Sequence, residues 1–268
     1  MSSIEWTDAT WNPVTGCSRV SPGCDNCYMF AMYPRLRAMN VNGYETSPDD
    51  VQMMRGRLNA PLSWVKPRLV FVNSMSDLFH PKVDFEFIAE IFHVMQEASE
   101  RRGHLFQVLT KRPGRAVAWW KRYAGEFSDS WPERVWIGVS VETQKYAPRL
   151  TVLSRLPAKV RFVSAEPLLG ELDLSEWLEA GELHWVIAGG ESGAGDRPMK
   201  LEWARRLRDQ CLASGVPFFL KQLGGVWNRR RGDAAVLDGR RWKETPTCQS
   251  SSHIYSYGAS KRSNHILF

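Results

Sequence analysis

Three cysteines stand within eleven residues near the start of the chain: Cys17, Cys24 and Cys27, in the stretch Trp11-Asn-Pro-Val-Thr-Gly-Cys17-Ser-Arg-Val-Ser-Pro-Gly-Cys24-Asp-Asn-Cys27-Tyr28. The Cys-x-x-Cys half lets two thiolates reach one metal or cluster. The earlier cysteine, with Gly16, Pro22 and Gly23 shaping the turn, can close a loop around it. Three thiolates complete neither a zinc site nor a closed iron–sulfur cluster, each of which takes four ligands, and an open position is what catalytic metal sites keep. One alternative is a zinc site completed by a distant histidine, such as His80 or His104. Against it, no histidine or fourth cysteine lies within zinc-knuckle distance of the motif. The total of five cysteines is odd, and with three packed together it argues against a disulfide framework. Cys211 lies in an amphipathic helical stretch and reads as core; Cys248 lies in a polar tail.

A second set of chemistry-bearing residues recurs farther along. Short β-branched or aromatic runs end in polar groups: Asn73-Ser-Met-Ser-Asp77, Thr110-Lys-Arg112, Ser140-Val-Glu142, Ser164-Ala-Glu166, Gly189-Gly-Glu-Ser192 and Lys221-Gln222. Helix capping accounts for an Asp77 or a Ser192. It does not account for Glu142, Glu166 and Glu191 arriving at comparable places.

The elements that position these groups alternate regularly. Strands are expected at Arg68–Asn73, Leu105–Leu109, Val135–Val139, Val160–Val163, His184–Ala188 and Pro217–Leu220, with a seventh near Trp11–Val14. Helices are expected at Phe85–Arg101, Arg115–Tyr123, Lys145–Leu156 and Leu201–Ser214, with a short one at Ser175–Glu179. In the first of these Ile88, Ile91, Phe92 and Met95 recur at three- and four-residue spacing, one face of a helix. Continuous apolar strands alternating with helices imply a parallel sheet covered by helices, an α/β fold. No strand turn carries Gly-x-Gly-x-x-Gly, which favours a partial or full (β/α) barrel over a doubly wound open sheet. In either architecture ligands bind at the carboxyl ends of the strands, where the polar groups lie. A single domain is expected over residues 1–245, with a cluster loop at 15–30 and a peripheral or disordered tail at 246–268.

The formal net charge of +6 favours an anionic partner, nucleic acid being the commonest. Lys111–Arg112 and Arg229–Arg230–Arg231 are the candidate phosphate contacts. Most of the twelve tryptophans, Trp136 and Trp185 among them, read as core and cleft fillers. No run approaches the roughly eighteen apolar residues that span a bilayer, so no membrane partner is expected. With no secretion signal at the start, a cytoplasmic location is expected.

The three-cysteine loop ahead of a partial barrel resembles the radical S-adenosylmethionine enzymes. Their usual spacing is Cys-x-x-x-Cys-x-x-Cys; here six residues separate the first pair, and Asn26 replaces the usual aromatic before the third cysteine. The chain to about residue 245 also resembles a family of phage and bacterial genomes described only as a phage protein of unknown function. The shared marks are Glu5-Trp-Thr-Asp-x-Thr-Trp-Asn-Pro-Val-Thr-Gly-Cys17, Ser164-x-Glu-Pro-Leu-Leu169, Gly189-Gly-Glu-Ser-Gly193 and Phe218-Phe-Leu-Lys-Gln222. The superfamily resemblance implies a [4Fe–4S] cluster on Cys17, Cys24 and Cys27 with S-adenosylmethionine on its open iron. It implies cofactor contacts from Ser74, Ser76 and Asp77 and, around the ribose, Ser140 and Glu142. Glu166 and Glu191 would complete the cofactor pocket or face the substrate, and Lys111, Arg112 and Lys221 suit a substrate phosphate or carboxylate. Glu166, Glu191, Lys111 and Lys221 are thus the catalytic candidates.

The expected function is a radical enzyme modifying or repairing nucleic acid, similar to the iron–sulfur lyases that split thymine photoproducts, and served by an electron donor. Two rivals stand beside it. One is a non-catalytic iron–sulfur protein that binds nucleic acid or senses redox state, which the row of acidic rim groups disfavours. The other is a zinc-dependent hydrolase, which would call for histidines at the strand ends.

Overall fold

The computed structural model of the chain describes residues 4–191, 195–224, 235–250 and 253–255. Seven strands form one sheet in chain order: β1 (Ala9–Trp11), β2 (Leu69–Val72), β3 (Leu105–Thr110), β4 (Val135–Ser140), β5 (Arg161–Ala165), β6 (Trp185–Gly189) and β7 (Phe218–Gln222). Every neighbouring pair is parallel. The edge strands β1 and β7 do not pair with each other, so the sheet curls into a half-barrel: the partial form of the expected (β/α) architecture. The seventh strand falls slightly earlier than expected. Val14–Thr15 instead pairs antiparallel with Gln52–Met53.

Among the described residues six α-helices accompany the sheet: α1 (Tyr28–Ala38), α2 (Phe85–Arg102), α3 (Pro113–Tyr123), α4 (Pro148–Leu153), α5 (Ser175–Glu179) and α6 (Leu201–Ser214). On α2 the predicted stripe of Ile88, Ile91, Phe92 and Met95 is fully buried. Each such side chain is worth about 1.5–3 kcal/mol when removed from water, so packing rather than propensity holds the helix to the sheet. Helix α1, which sequence periodicity did not reveal, follows directly from Cys27.

Strand alternation divides the core in two. Val70, Val72, Val108, Ile137, Val139, Val163 and Val186 face the helices in the larger cluster. Leu69, Phe71, Leu105, Trp136, Phe162, Trp185 and Phe219 face the other way and fill the inside of the half-barrel together with Trp6. The Trp6 ring meets Phe71 edge-on at 4.6 Å and Trp185 at 6.2 Å. Trp136 and Trp185 are buried in this layer, as core fillers should be. Glu5 pairs with Lys243, whose ammonium also donates to the Leu220 carbonyl (2.8 Å), linking the N-terminal segment to β7.

Among the described residues no helix is long and apolar enough to cross a membrane. Within the expected tail, Cys248–Ser250 and His253–Tyr255 pair as an antiparallel hairpin. Arg229, Arg230 and Arg231 lie outside the described residues, as does Ser192.

Candidate functional site

The parallel strands all end at one edge, so the polar groups that close them form a ring around the mouth of the half-barrel. The cysteine loop lies over this ring. Gly16 forms a parallel bridge to Ser76, and the Cys17 backbone N–H donates to Pro48 O (2.8 Å). Gly16 has φ +79°, and a Cβ there would lie 2.4 Å from Asp50 O, so the turn into the first cysteine admits only glycine. A cavity of about 210 Å³ opens beneath. All three cysteines line it, as do Ser74, Ser76, Asp77, Ser140, Glu166 and Glu191; so do Lys111, Arg112 and Lys221, and its apolar part includes Trp6, Phe71 and Leu109. Glu142, named from sequence as a rim carboxylate, does not line it.

Three polar clamps hold the loop to the strand ends. In the first, Arg112 forms an ion pair with Asp77 (2.8 Å) and donates to Ser18 O and Ser18 Oγ (3.0 Å each). Its guanidinium also stands 3.9 Å from Cys17 Sγ. Asp77 accepts in addition from Thr110 Oγ1 and the Lys111 N–H, so it ties β2 to β3 and caps no helix. In the second, the fully buried Glu142 accepts from Lys111 (2.6 Å), Arg149 (3.1 Å) and Ser21 Oγ (2.6 Å). Gly23 rests on the same carboxylate: a Cβ there would lie 2.6 Å from Glu142 Cγ and Oε1. Burial works to raise the pKa of Glu142, but Lys111, Ser21 and Arg149 outweigh it and hold the carboxyl below the usual range. In the third, Arg197 spans Glu191 (2.6 Å), Asp25 (3.2 Å) and Pro22 O (2.7 Å), while Asn26 Nδ2 donates to Glu191 (2.8 Å). Tyr28 adds a strut, its hydroxyl donating to Ser74 O.

These contacts revise several roles assigned from sequence. Glu142, expected near a ribose, does not line the cavity; it holds Ser21 and Gly23 in place. Lys111 and Arg112 are not free phosphate ligands, since carboxylates already occupy them. The carboxylates Asp77, Glu142, Glu166 and Glu191 are matched by Arg112, Lys111, Arg149, Lys221 and Arg197, so the rim is not a wall of negative charge. The argument that rim acidity repels a nucleic acid therefore loses its basis. Glu166 and Lys221, 3.0 Å apart at the ends of β5 and β7, remain in the cavity and outside the clamps. Arg149, Arg197, Ser18, Ser21 and Asn26 were missed. Ser18, Ser21 and Asn26 matter through partners far away in sequence, of which a single sequence carries no signal, while Arg149 and Arg197 follow their carboxylates by seven and six residues.

The histidines named for a zinc site, His80 and His104, do not line the cavity with the cysteines. His104 precedes β3 at the opposite end of the sheet, bonded to the Arg68 N–H (3.1 Å) and Pro61 O (3.1 Å). His80 Nδ1 accepts from the Lys82 N–H, leaving Nε2–H to donate to Ser18 Oγ (2.8 Å). Burial, assisted by Arg112, lowers its pKa to about 4, so it is neutral at physiological pH.

Whether the site fits an iron–sulfur cluster and S-adenosylmethionine is tested by its donors. Among the described residues no group of three or more His, Cys, Asp and Glu side chains is gathered at metal-holding distance. The three thiols nevertheless line one cavity from one clamped loop, and they are free cysteines. Burial and Asp77 push the Cys17 thiol up to about 12, and burial raises that of Cys27. The surroundings thus favour thiols until a cation draws out thiolates. Beside them Asn73 Nδ2 and Ser76 Oγ are buried on the cavity wall with no hydrogen-bond partner among the described residues, donors available to a polar ligand. The residues present suit three-thiolate ligation with a polar organic molecule alongside.

Fold and site together define an α/β half-barrel protein with a clamped three-cysteine loop over its mouth. The chain belongs to the family described as "Protein of unknown function (DUF5131)", whose model matches residues 1–246. No curated protein and no solved structure matches it.

Proposed function

We propose that this chain is an iron–sulfur enzyme of the radical S-adenosylmethionine type that modifies or repairs nucleic acid. The observation that carries the reading is the convergence of Cys17, Cys24 and Cys27 on the same cavity as the strand-end serines and carboxylates. Cys17, Cys24 and Cys27 would ligate a [4Fe–4S] cluster. Such a cluster with S-adenosylmethionine supplies one-electron cleavage of the sulfonium and hence a hydrogen-abstracting radical. The protein's part is to bind, orient and exclude water. Asn73 and Ser76 offer donors at the end of β2, and Ser140 offers a hydroxyl at the end of β4, for the amino-acid and ribose portions. Among the described residues Glu166 and Lys221 form the ion pair of the cavity not spent on the loop, and are the pair best placed to meet substrate or exchange a proton with it. The aromatic inner wall at Trp6 and Phe71 suits a planar base, and the net charge of +6 suits its phosphates.

The test is anaerobic reconstitution. Iron and sulfide should enter in about the four-to-four ratio of a cubane cluster, giving a brown protein with a broad band near about 400 nm. S-adenosylmethionine should then perturb the electron paramagnetic resonance of the reduced protein. Stoichiometric zinc without sulfide would sink the cluster. A resonance indifferent to saturating S-adenosylmethionine would remove the radical assignment alone. Absence of binding to single- or double-stranded DNA or RNA at low salt would remove the nucleic acid.

A further inference from the structure

The cations of the mouth described above are matched by carboxylates: Arg112 by Asp77, Lys111 and Arg149 by Glu142, Arg197 by Glu191 and Lys221 by Glu166. Arg19, on the cysteine loop itself, differs. It is exposed and, among the described residues, meets no carboxylate. Its guanidinium instead lies over the Phe30 ring, 3.8 Å from the centroid. Phe30 and Val20, the residue after Arg19, both line the cavity, so this stack stands at its lip. A guanidinium held against a ring face is a pre-ordered plane whose N–H edge remains free to donate. Tyr28, 41% exposed, and Val20, 42% exposed, add apolar surface to the same lip.

We propose that the Arg19–Phe30 stack is the platform for a nucleotide next to the one that enters the cavity, and that the substrate is a single-stranded nucleic acid. This rests on the nucleic-acid reading above, and adds to it the form of the nucleic acid and the residue that meets it. The mouth indicates the form. A base within a duplex keeps both faces stacked, so chemistry inside a cavity requires that it be taken out of the stack, which costs least in a single strand. The lip indicates the contact. A neighbouring base that has lost its stacking partner needs a new one, and aromatic rings and guanidinium planes are the surfaces on which such bases stack. The phosphate between the two nucleotides needs a cation that no carboxylate holds, and the N–H edge of Arg19 supplies one. A lysine there would offer the charge without the plane.

The experiment titrates the full chain, loaded anaerobically with iron and sulfide, against fluorescent DNA and RNA oligonucleotides, single-stranded and as duplexes of the same sequence. Anisotropy is read at several salt concentrations. A single strand of either sugar should bind about tenfold or more tighter than its duplex. Arg19→Ala should weaken that binding by about tenfold. It should also reduce the slope of log affinity against log salt by about 0.7, the share of one phosphate on a single strand. Arg19→Lys should restore the slope but not the affinity. Lys66→Ala, which removes an exposed charge ahead of β2 at the opposite end of the sheet, should change neither. Iron content and thermal midpoint should match wild type throughout, because Arg19 takes no part in the three clamps. If single strands bind and Arg19→Ala binds them as wild type does, the platform is overturned and the nucleic-acid reading stands. Equal losses in Arg19→Ala and Lys66→Ala, or full recovery in Arg19→Lys, would also overturn it, leaving charge without a stack. Duplexes bound as tightly as single strands would overturn the single-stranded substrate. If no oligonucleotide binds at low salt, the nucleic-acid reading falls and the platform with it.

Discussion

The two ends of the sheet both hold buried or half-buried charged and polar side chains, but they use them differently. At the amino end, Arg161 donates to the carbonyls of Leu156, Ala158 and Glu182, and Arg134 to that of Gly103. His184 Nδ1 accepts the Arg161 N–H, as His104 Nδ1 accepts that of Arg68. Most partners there are main-chain groups of adjoining turns, and the outcome is a closed strand edge. At the carboxyl end many partners are side chains, and three sets of contacts hold a loop from far away in sequence. One end satisfies its own backbone; the other fixes the place of three thiols. Polar burial alone therefore does not distinguish the two edges; what distinguishes them is whether the partners hold a separate loop in place.

The largest effect that would test this division is loss of a thiol. If the proposed cluster is present, Cys17→Ala, Cys24→Ala and Cys27→Ala should each abolish the visible absorption and bound iron of the reconstituted protein, with sulfide assay as the check. Cys211→Ala, buried in the helix-side core, should leave both intact. Next comes the second clamp. Glu142→Ala strands Lys111 and Arg149, 17% and 12% exposed, without their counter-charge. Removing one partner of such a buried network costs about 3–5 kcal/mol, read as a lower urea midpoint, and here iron uptake should fall with it. Arg161→Met leaves carbonyls at the amino end without a donor, at about 1–3 kcal/mol. Its iron content should stay at the wild-type level; depletion there would falsify the division between the ends.

The smallest effect is in pH. Burial holds His184 and His104 below the ordinary value of 6.5. A histidine lowered on folding binds its proton more readily in the unfolded chain. Stability is then full above about pH 6.5 and declines as pH falls towards the folded value. The thermal midpoint should drop between pH 7 and pH 5, and drop less in His184→Gln. A slope unaltered by that substitution would show that other groups govern it.

The sheet was legible because each strand is a continuous apolar run with a helical stretch behind it, and Leu201–Ser214 falls where its spacing puts it. Helix α1 was not legible. Its two apolar stripes blur the single face that periodicity detects, and Pro34 interrupts it. The seventh strand was nearly legible: Trp11 belongs to it, but the chain turns at Pro13 and Val14 joins a different pairing. In the site, the cysteines announced themselves by spacing, and the rim groups by recurring after strands. Their partnerships did not, because Ser21 meets Glu142 across 121 residues and Asn26 meets Glu191 across 165. Position along a strand predicts that a carboxylate reaches the mouth. It does not say whether that carboxylate meets a ligand or an arginine.

The unpaired edges of the sheet have a consequence for size. A closed barrel has its diameter dictated by backbone hydrogen bonds all the way round. Here no ladder joins β1 to β7, and the interior is filled by side chains, with the Trp6 indole between Phe71 and Trp185. The calibre of the opening is thus held by side chains and not by the main chain. A single residue change at position 6 can re-gauge what the mouth admits while every strand keeps its register.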